Sequence, residues 1–533
     1  MCNFLRGLFM TLGTSKKSVE ERSMVAVSLA TVASRISGLL RDMVLFALLG
    51  LTDWSSAFLF ALTVPNLFRR LLGEGALTSA MVPLFAETLE EQSQQQAFAF
   101  LNRILSRLSI ILFAIIAFFV VIFLFVWPAL PAHWQRALGL TTILVPYLLF
   151  VCPTAMLSGA LNVLGSFGLP ALTALLLNLS MLFAGIIALL RFPAGGLPAA
   201  LILCVSVLVG GIIQLILPWK LLRRRGWKFR WDHSTSPILS RLWRIFLPAV
   251  LGAAMVQINV TISRLIAYAF TSSGISTLYL SSRLVEVPLG IFAIAITSVA
   301  FPGLSRLATE TKRNIFGERY RHAHWSILMV TIPSAIGLIL LGKNILTALF
   351  AWGNYSGSDI MQTFPVLAIS AIGIPFFAVV GIDTRAFHAK QDMKTPLRIA
   401  CWGIFCNIFL TIILAKFFGA AGIALSNVLS AMLQWVLLRK QLSHALSGGT
   451  EPRREVRKTL ILACANGLLL LFLLAVSHLW DTSLPPRVDA LLHLCVVIPV
   501  VVIGYVTFLQ IFRFEEVSLF FSFLRPSRGW RKK

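Results

Sequence analysis

The chain has 533 residues, 58% of them hydrophobic and only 13% charged, with a formal net charge of +25. That composition excludes a soluble globular domain and leaves room for about 12 to 14 membrane-spanning helices of about 20 residues each. The positive charge suggests nucleic acid, but its distribution excludes that partner, because it is concentrated between spans on one side of the membrane.

In chain order, hydropathy predicts spans near 24–50, 54–86, 100–127, 138–165, 170–192, 197–221 and 242–271, then 275–305, 322–350, 360–388, 396–417, 420–442, 457–479 and 490–512. The apolar runs are long and continuous, which excludes an alternating β-barrel pattern. The expected fold is an all-α polytopic membrane protein of about 14 transmembrane helices. Residues 1–23 form an N-terminal tail, 24–223 a lobe of helices 1–6, and 224–241 a basic linker. Residues 242–446 form a second lobe of helices 7–12, 447–512 two further helices, and 513–533 a basic tail.

With the N-terminus placed in the cytoplasm, 35 of the 46 Lys and Arg fall in inside segments. Five fall outside (Arg136, Arg191, Lys343, Lys416 and Arg487) and six within spans. This positive-inside asymmetry puts both termini in the cytoplasm. The richest segment, Lys220 to Arg244, contains RRRGWKFRW and is expected to anchor to anionic headgroups. The start of the chain lacks a signal-peptide pattern, so the first span is expected to act as the insertion signal. Six of the seven cysteines lie in spans, with Cys2 the other, and no disulfide framework is expected. His322 and His324 fall in a basic inside loop and are expected to be solvated.

The first span carries SRISGLLRD at 34–42. At 100° per residue, Arg35 and Asp42 fall within about 20° of one face and Arg41 about 120° away. Gly38 between them permits close backbone approach. The second span carries PNLFRRLLGEGAL at 65–77, in which Pro65, Gly73 and Gly75 should kink or break the helix. Arg70 and Glu74 are spaced to pair, which leaves Arg69 without a local acid. Arg264 lies near the outer end of the seventh span, where snorkelling explains it. The eighth carries SSRLVEVP at 281–288, with Arg283 and Glu286 spaced i, i+3 and Pro288 following. The tenth holds Asp383, and Asp392 falls in the inside loop after it.

The two halves repeat. ALTSAMVPLF at 76–85 matches AITSVAFPGL at 295–304, and ASRI at 33–36 matches ISRL at 262–265. Pro170 and Asn178 open the fifth span much as Pro396 and Asn407 open the eleventh. IIQLILPWKLLR at 212–223 resembles MLQWVLLRKQL at 432–442. A six-span unit keeps its orientation on duplication, so two lobes related by an axis along the membrane normal are expected, with a central cavity lined by spans 1, 2, 7 and 8.

A guanidinium at the centre of a span costs roughly 2.5–3.5 kcal/mol, so intramembrane arginines ordinarily face protein or water. Arg35, Arg41, Arg69, Arg70 and Arg283 form a cationic set suited to bidentate capture of phosphate or diphosphate oxygens. Asp42, Glu74 and Glu286 are expected to orient them, and Gly38, Pro65, Gly73, Gly75 and Pro288 to absorb bending. The sequence has no Walker A loop, G-x-S-x-G, H-E-x-x-H or paired-Cys metal spacing, so catalysis, metals and cofactors are not expected. Transport would draw on an ion gradient, the membrane potential or substrate flux.

SRISGLLRD, PNLFRRLLGEGALTSAMVPLF, SRLVEVPLGIFAIAITSVAFPGLSR and FHAKQDMKTPLRIA resemble the MurJ/MviN family of bacterial lipid II flippases, within the multidrug/oligosaccharidyl-lipid/polysaccharide exporter superfamily. The resemblance runs over nearly the whole chain and is weakest in the last two spans. It implies two six-helix lobes, alternating access, an inner-membrane location and a cargo of undecaprenyl-diphosphate disaccharide-pentapeptide for peptidoglycan synthesis. Membrane lipids and the cell-wall synthesis machinery are the further partners it suggests. It assigns the functional charges to Arg35, Arg41, Asp42, Arg69, Arg70, Glu74, Arg283 and Glu286. It also implies that the last two helices form a groove for the polyprenyl tail. Two positions depart from the family pattern. WSSAF places Ser56 where members often carry Asp, with Asp53 three residues earlier, and Ser263 precedes Arg264 where many carry Asp, a position tied to cation coupling. The residue chemistry leaves three alternatives open: a flippase for another polyprenyl-linked saccharide, a cation-coupled drug exporter, and a non-transporting cell-wall scaffold.

Overall fold

The structure, a computed structural model, describes residues 16–73, 76–166, 169–293, 296, 297, 301, 304, 313–445, 452–480 and 482–517. Among these residues the regular structure is helical throughout. Nine helical stretches among the described residues are long and apolar enough to cross a membrane. The chain is therefore a multi-pass all-α membrane protein. It divides into two compact units, Met1–Ile258 and Asn259–Lys533.

The first unit opens with α1 (Lys16–Leu49) and α2 (Asp53–Phe68). Thr52 and Ser55 form a capping box that starts α2, with Asp53 in its first turn, where a negative charge favours the helix dipole. The expected second span is not one helix. Pro65 lacks an amide donor, and α2 gives way to a π turn over Arg69–Gly73 before α3 (Ala76–Glu91). Glu74 and Gly75 lie outside the described residues. There follow α4 (Gln94–Val126), α5 (Ala132–Leu144), α6 (Leu148–Val163), α7 (Leu169–Arg191) and α8 (Gly196–Arg224). Close packing of α8 depends on glycine: a Cβ on Gly211 would sit 2.7 Å from the Tyr147 ring. The Tyr147 hydroxyl donates to Gln214 at 3.0 Å, and Gln214 donates to the Thr173 carbonyl at 2.6 Å, tying the turn that leads into α6 to α7 and α8 through one buried amide.

The basic segment expected as a linker is instead fastened down. Trp227 is buried, donates to Asn102 Oδ1 at 2.9 Å and packs edge-on against Trp219. Asn102 returns a bond to the Lys228 carbonyl at 3.0 Å, and Arg103 pairs with Asp232 at 2.9 Å. The Ser234 hydroxyl, then the Ser234 amide and Arg103, hold the Asp232 carboxyl below its ordinary pKa. Arg224, Arg230 and Trp231 remain exposed. The next helix, α9 (Pro237–Phe270), contains the boundary between the units, so the compact division falls later than residues 224–241.

The second unit continues with α10 (Gly274–Pro288), again followed by a π turn, Leu289–Ala293. The two π turns start 220 residues apart, one more than the 219-residue offset between the matching segments at 76–85 and 295–304. The repeat's second copy at 295–304 lies mostly outside the described residues. Next come α11 (Arg313–Leu340), α12 (Gly342–Phe350), α13 (Gly357–Ile372), α14 (Ile374–Ala389) and α15 (Lys394–Ala445). The last turns at Gly419, whose φ of 55° suits glycine, between the expected spans 396–417 and 420–442. Asp392 starts α15 by accepting from the Lys394 and Thr395 amides, and the Thr395 bond leads in holding its carboxyl below the ordinary pKa. Helices α16 (Pro452–Leu479) and α17 (Pro486–Ile511) close the chain. They pack on α11 through Trp325, Met329, Leu462 and Leu509.

Of the two histidines expected to be solvated, His322 keeps a side chain 40% exposed while His324 does not reach solvent. His324 is buried on α11, and His322 Nδ1 lies 2.9 Å from the fully buried Glu516. Folding the segment after α17 back onto α11 brings Glu516 there, a contact 194 residues apart in sequence.

Candidate functional site

On α1, Arg41 and Asp42 form the best-enclosed ion pair among the arginines singled out. Arg41 donates to Asp42 Oδ1 through Nε at 3.0 Å and Nη2 at 2.7 Å, and to Asn178 Oδ1 through Nη1 at 2.9 Å. The side chains are 13% and 4% exposed, so the pair is largely out of water. Asp42 thus holds its sequence neighbour Arg41, not Arg35 on the face expected from helical geometry. Arg35 is exposed and has no polar partner among the described residues.

Asn178 on α7 also donates to the Ser34 carbonyl at 3.0 Å, so it locks α7 to α1 as well as orienting Arg41. Gly38 makes room for it, since a Cβ there would lie 3.4 Å from Asn178 Nδ2. Gly38 sits within a continuous helix, and its visible role is this close approach. Asn178 had stood out only as a marker of the repeat, and Arg41 explains why an amide is placed there. The repeat returns in the second unit, where the Ser263 hydroxyl lies 3.5 Å from Asn407 Oδ1. Ser34 to Ser263 and Asn178 to Asn407 share an offset of 229 residues, so corresponding helices are joined by corresponding residues, though through different atoms.

Arg69 and Arg70 sit on the first π turn. Arg69 donates from Nε to Asn66 Oδ1 at 3.2 Å, so an amide serves where the sequence offered no acid. Arg70 is exposed and reaches Gln257 Oε1 at 3.5 Å. Pro65 is buried one turn before these arginines. The extra residue in a π turn redirects the side chains that follow it, a distortion common at functional sites.

In the second unit, Arg283 donates from Nη1 to Glu286 Oε2 at 3.2 Å and from Nη2 to the Tyr279 hydroxyl at 3.1 Å, with its guanidinium 4.9 Å above the Tyr279 ring. Tyr279 is a partner of Arg283 that the sequence reading missed, although its i−4 spacing from Arg283 was visible. Arg283 and Glu286 are 41% and 62% exposed, so this pair steers the guanidinium more than it stabilises the fold. Pro288 is buried at the end of α10, just before the second π turn.

The two departures from the family pattern now have surroundings. Ser56 is buried, and Asp53 is paired with Arg136 of α5 at 2.5 Å, with Arg136 also 5.3 Å above the Trp54 ring. Ser263 meets Asn407, which donates to Asn427 at 2.9 Å, so hydroxyl and amide groups occupy this position.

These features can be set beside known proteins. The lipid II flippase MurJ family profile matches residues 45–488. A probable lipid II flippase MurJ of Vibrio cholerae serotype O1 is 31% identical over 444 residues, covering 79% of this chain and 82% of the relative. That of Rhizobium tropici is 29% identical over 481 residues, covering 87% and 88%. A solved lipid II flippase MurJ in an inward closed conformation superposes with a TM-score of 0.75 at 24% identity, covering 94% of this chain and all of that one. An inward-facing multidrug resistance MATE family transporter shares the fold more distantly, with a TM-score of 0.60 at 14% identity over 80% of this chain. The chain belongs to the lipid II flippase MurJ family.

Proposed function

We propose that this protein is a transporter, not an enzyme, that moves lipid II from the cytoplasmic to the outer leaflet of the bacterial inner membrane by alternating access. The family match over residues 45–488 carries this reading. The cationic set supports it, because a diphosphate headgroup is a doubly charged, oxygen-rich ligand suited to guanidinium groups. In this reading Arg35 and Arg70, both exposed, are free to meet the headgroup. Arg41 is held by Asp42 and Asn178, Arg69 by Asn66, and Arg283 by Glu286 and Tyr279, so their guanidiniums are oriented before cargo arrives. Pre-orientation limits the side-chain ordering cost on binding, about 0.5–1.5 kcal/mol per long side chain. The buried prolines near the ends of α2 and α10, with the π turns after them, are where the helices would flex. The excess of inside Lys and Arg supports cytoplasmic termini, and the exposed apolar faces of α16 and α17, including Leu468, Leu471 and Ile503, suit a polyprenyl tail.

The test is reconstitution of the full chain in liposomes containing lipid II, scored by how much cargo becomes accessible to a membrane-impermeant reagent. Accessibility should rise in the wild type and fall in Arg35→Ala and Arg283→Ala. Equal accessibility with and without protein, or stronger movement of a different polyprenyl-linked saccharide, would refute the assignment.

A further inference from the structure

Asp383 is fully buried on α14 and differs from the other intramembrane acids with described side chains. Asp42 and Glu286 each contact an arginine directly, whereas Asp383 does not. Its Oδ1 accepts from the Tyr320 hydroxyl of α11 at 2.5 Å, and its Oδ2 has no hydrogen-bond partner. Arg439 of α15 donates to the Tyr320 oxygen at 2.9 Å and lies 5.8 Å above its ring, so the cation hydrogen-bonds the phenol and acts on the carboxyl through space. The enclosure is apolar and includes Val379, Ile382, Ala386 and Leu438. An ionised carboxylate with one bare oxygen in such surroundings carries a desolvation cost, which a proton removes.

Among the neighbouring elements, α15 brings the compensating charge, Arg439. Beside Tyr320, α11 brings buried His324, whose Nδ1 also has no partner and whose ring lies 5.9 Å from that of Tyr320. Helix α13 has a single acid, Asp359, engaged at its first turn with the Ser356 amide, and the π turn Leu289–Ala293 has no titratable residue. On α14 itself Arg385 and His388 are half-buried, two and five positions on. The local chemistry also discriminates among cations. A metal ion such as Ca²⁺ or Mg²⁺ wants about six or more oxygen ligands. Asp383 has one phenol beside it, and among the described residues no group of three His, Cys, Asp or Glu is placed to hold a metal.

We infer that Asp383 is a proton-exchanging site of this transporter, with Tyr320 and Arg439 holding the conjugate base when the proton leaves. The inference rests on the transport reading above. On release the Oδ2–H bond breaks, its electron pair stays on the carboxylate, and the proton passes to water when the site opens. The negative charge is then met by the Tyr320 O–H, polarised by Arg439. The site supplies an ion-coupling group in the second unit that does not involve Ser263.

The test uses the full chain in liposomes and two readouts. Infrared spectra of wild type and Asp383→Asn at acid and alkaline pH should show a protonated-carboxyl band that fades with rising pH and is missing from the variant. Lipid II movement under imposed pH gradients of either sign should change several-fold in the wild type and stay constant in Asp383→Asn. A band unaffected by the substitution, or an unaltered gradient response in the variant, overturns the inference. A response to a sodium gradient at equal pH, in place of a proton response, overturns the identity of the ion. If Asp383→Asn does not fold, Tyr320→Phe keeps the carboxyl and should shift the midpoint of its band, and an unshifted midpoint counts against the site. A titrating band in a protein that moves no lipid II would remove the cargo assignment and leave the proton site standing.

Discussion

Replacing Asp42 with Asn preserves shape and removes one charge from the Arg41 pair. Its Oδ1 accepts two guanidinium hydrogen bonds, at 3.0 and 2.7 Å, from a side chain that is 13% exposed. The gross attraction of such a pair is about 4 kcal/mol at an effective dielectric of 20, and breaking a buried pair by removing one partner costs about 3–5 kcal/mol. Arg41 keeps its bond to Asn178 and a little water, so the loss should sit at the low end, about 3 kcal/mol. Unfolding from bicelles by SDS measures this in Asp42→Asn, Arg41→Gln and the double variant. The two single losses should not add, and their coupling should be about 1–3 kcal/mol. In liposomes Asp42→Asn should also slow lipid II movement, because Arg41 loses its fixed direction. A single-variant loss within about 0.5 kcal/mol, additive with Arg41→Gln, would refute the idea that this pair is buried and pre-oriented.

Other outcomes follow from other contacts. Arg283→Ala should abolish rescue of a flippase-depleted cell at normal protein levels while leaving thermal stability nearly unchanged, because its ion pair is exposed and worth about 0–1 kcal/mol. A large drop in its melting temperature would count against that division. Trp227→Ala should destabilise the first unit by about 3–5 kcal/mol, seen as faster proteolysis at the 224–236 segment, and unchanged proteolysis would show that the segment is not pinned by this ring. Gly38→Ala should be nearly neutral, since its Cβ would meet Asn178 at ordinary contact distance, whereas Gly38→Leu should separate α1 from α7 and impair rescue. Equal rescue by both variants would remove the packing role. Glu516 makes a pH prediction. Burial pushes its carboxyl up, but His322 and Lys458 outweigh that and hold it below its ordinary value of 4.5. With the folded pKa depressed, its stabilisation is present above pH 4.5 and is lost as pH falls through the folded value. The melting-temperature gap between wild type and Glu516→Gln should therefore be wide at neutral pH and close in acid, and a gap independent of pH would contradict the assignment.

Much of this architecture could be read from the chain because lipid imposes a severe rule: every spanning segment must satisfy its own backbone hydrogen bonds, so long apolar runs become helices. The prolines at 65 and 288 stand just before the π turns that follow α2 and α10, although prolines such as Pro153 and Pro218 sit inside helices without one. The i, i+3 spacing of Arg283 and Glu286 is local and survived into the structure. Partners distant in sequence were not legible. Asn178 reaches Arg41 across 137 residues, Trp227 reaches Asn102 across 125, and Glu516 meets His322 across 194. The pinning of the basic segment through Trp227 and the burial of His324 were missed for this reason, since charge composition does not say which side of a residue faces protein.

The sequence by itself determined the class of molecule, the order of its helices, the internal repeat and the presence of arginines within its spans, because these depend on hydropathy, spacing and fixed charge. Only the tertiary structure decided which acid or amide holds each arginine, that Ser263 sits among neutral groups, and that Asp383 lies beside a tyrosine with one oxygen bare. Those outcomes depend on helix packing at ångström precision, where the direction of a side chain, and not its identity, sets whether a charge is paired.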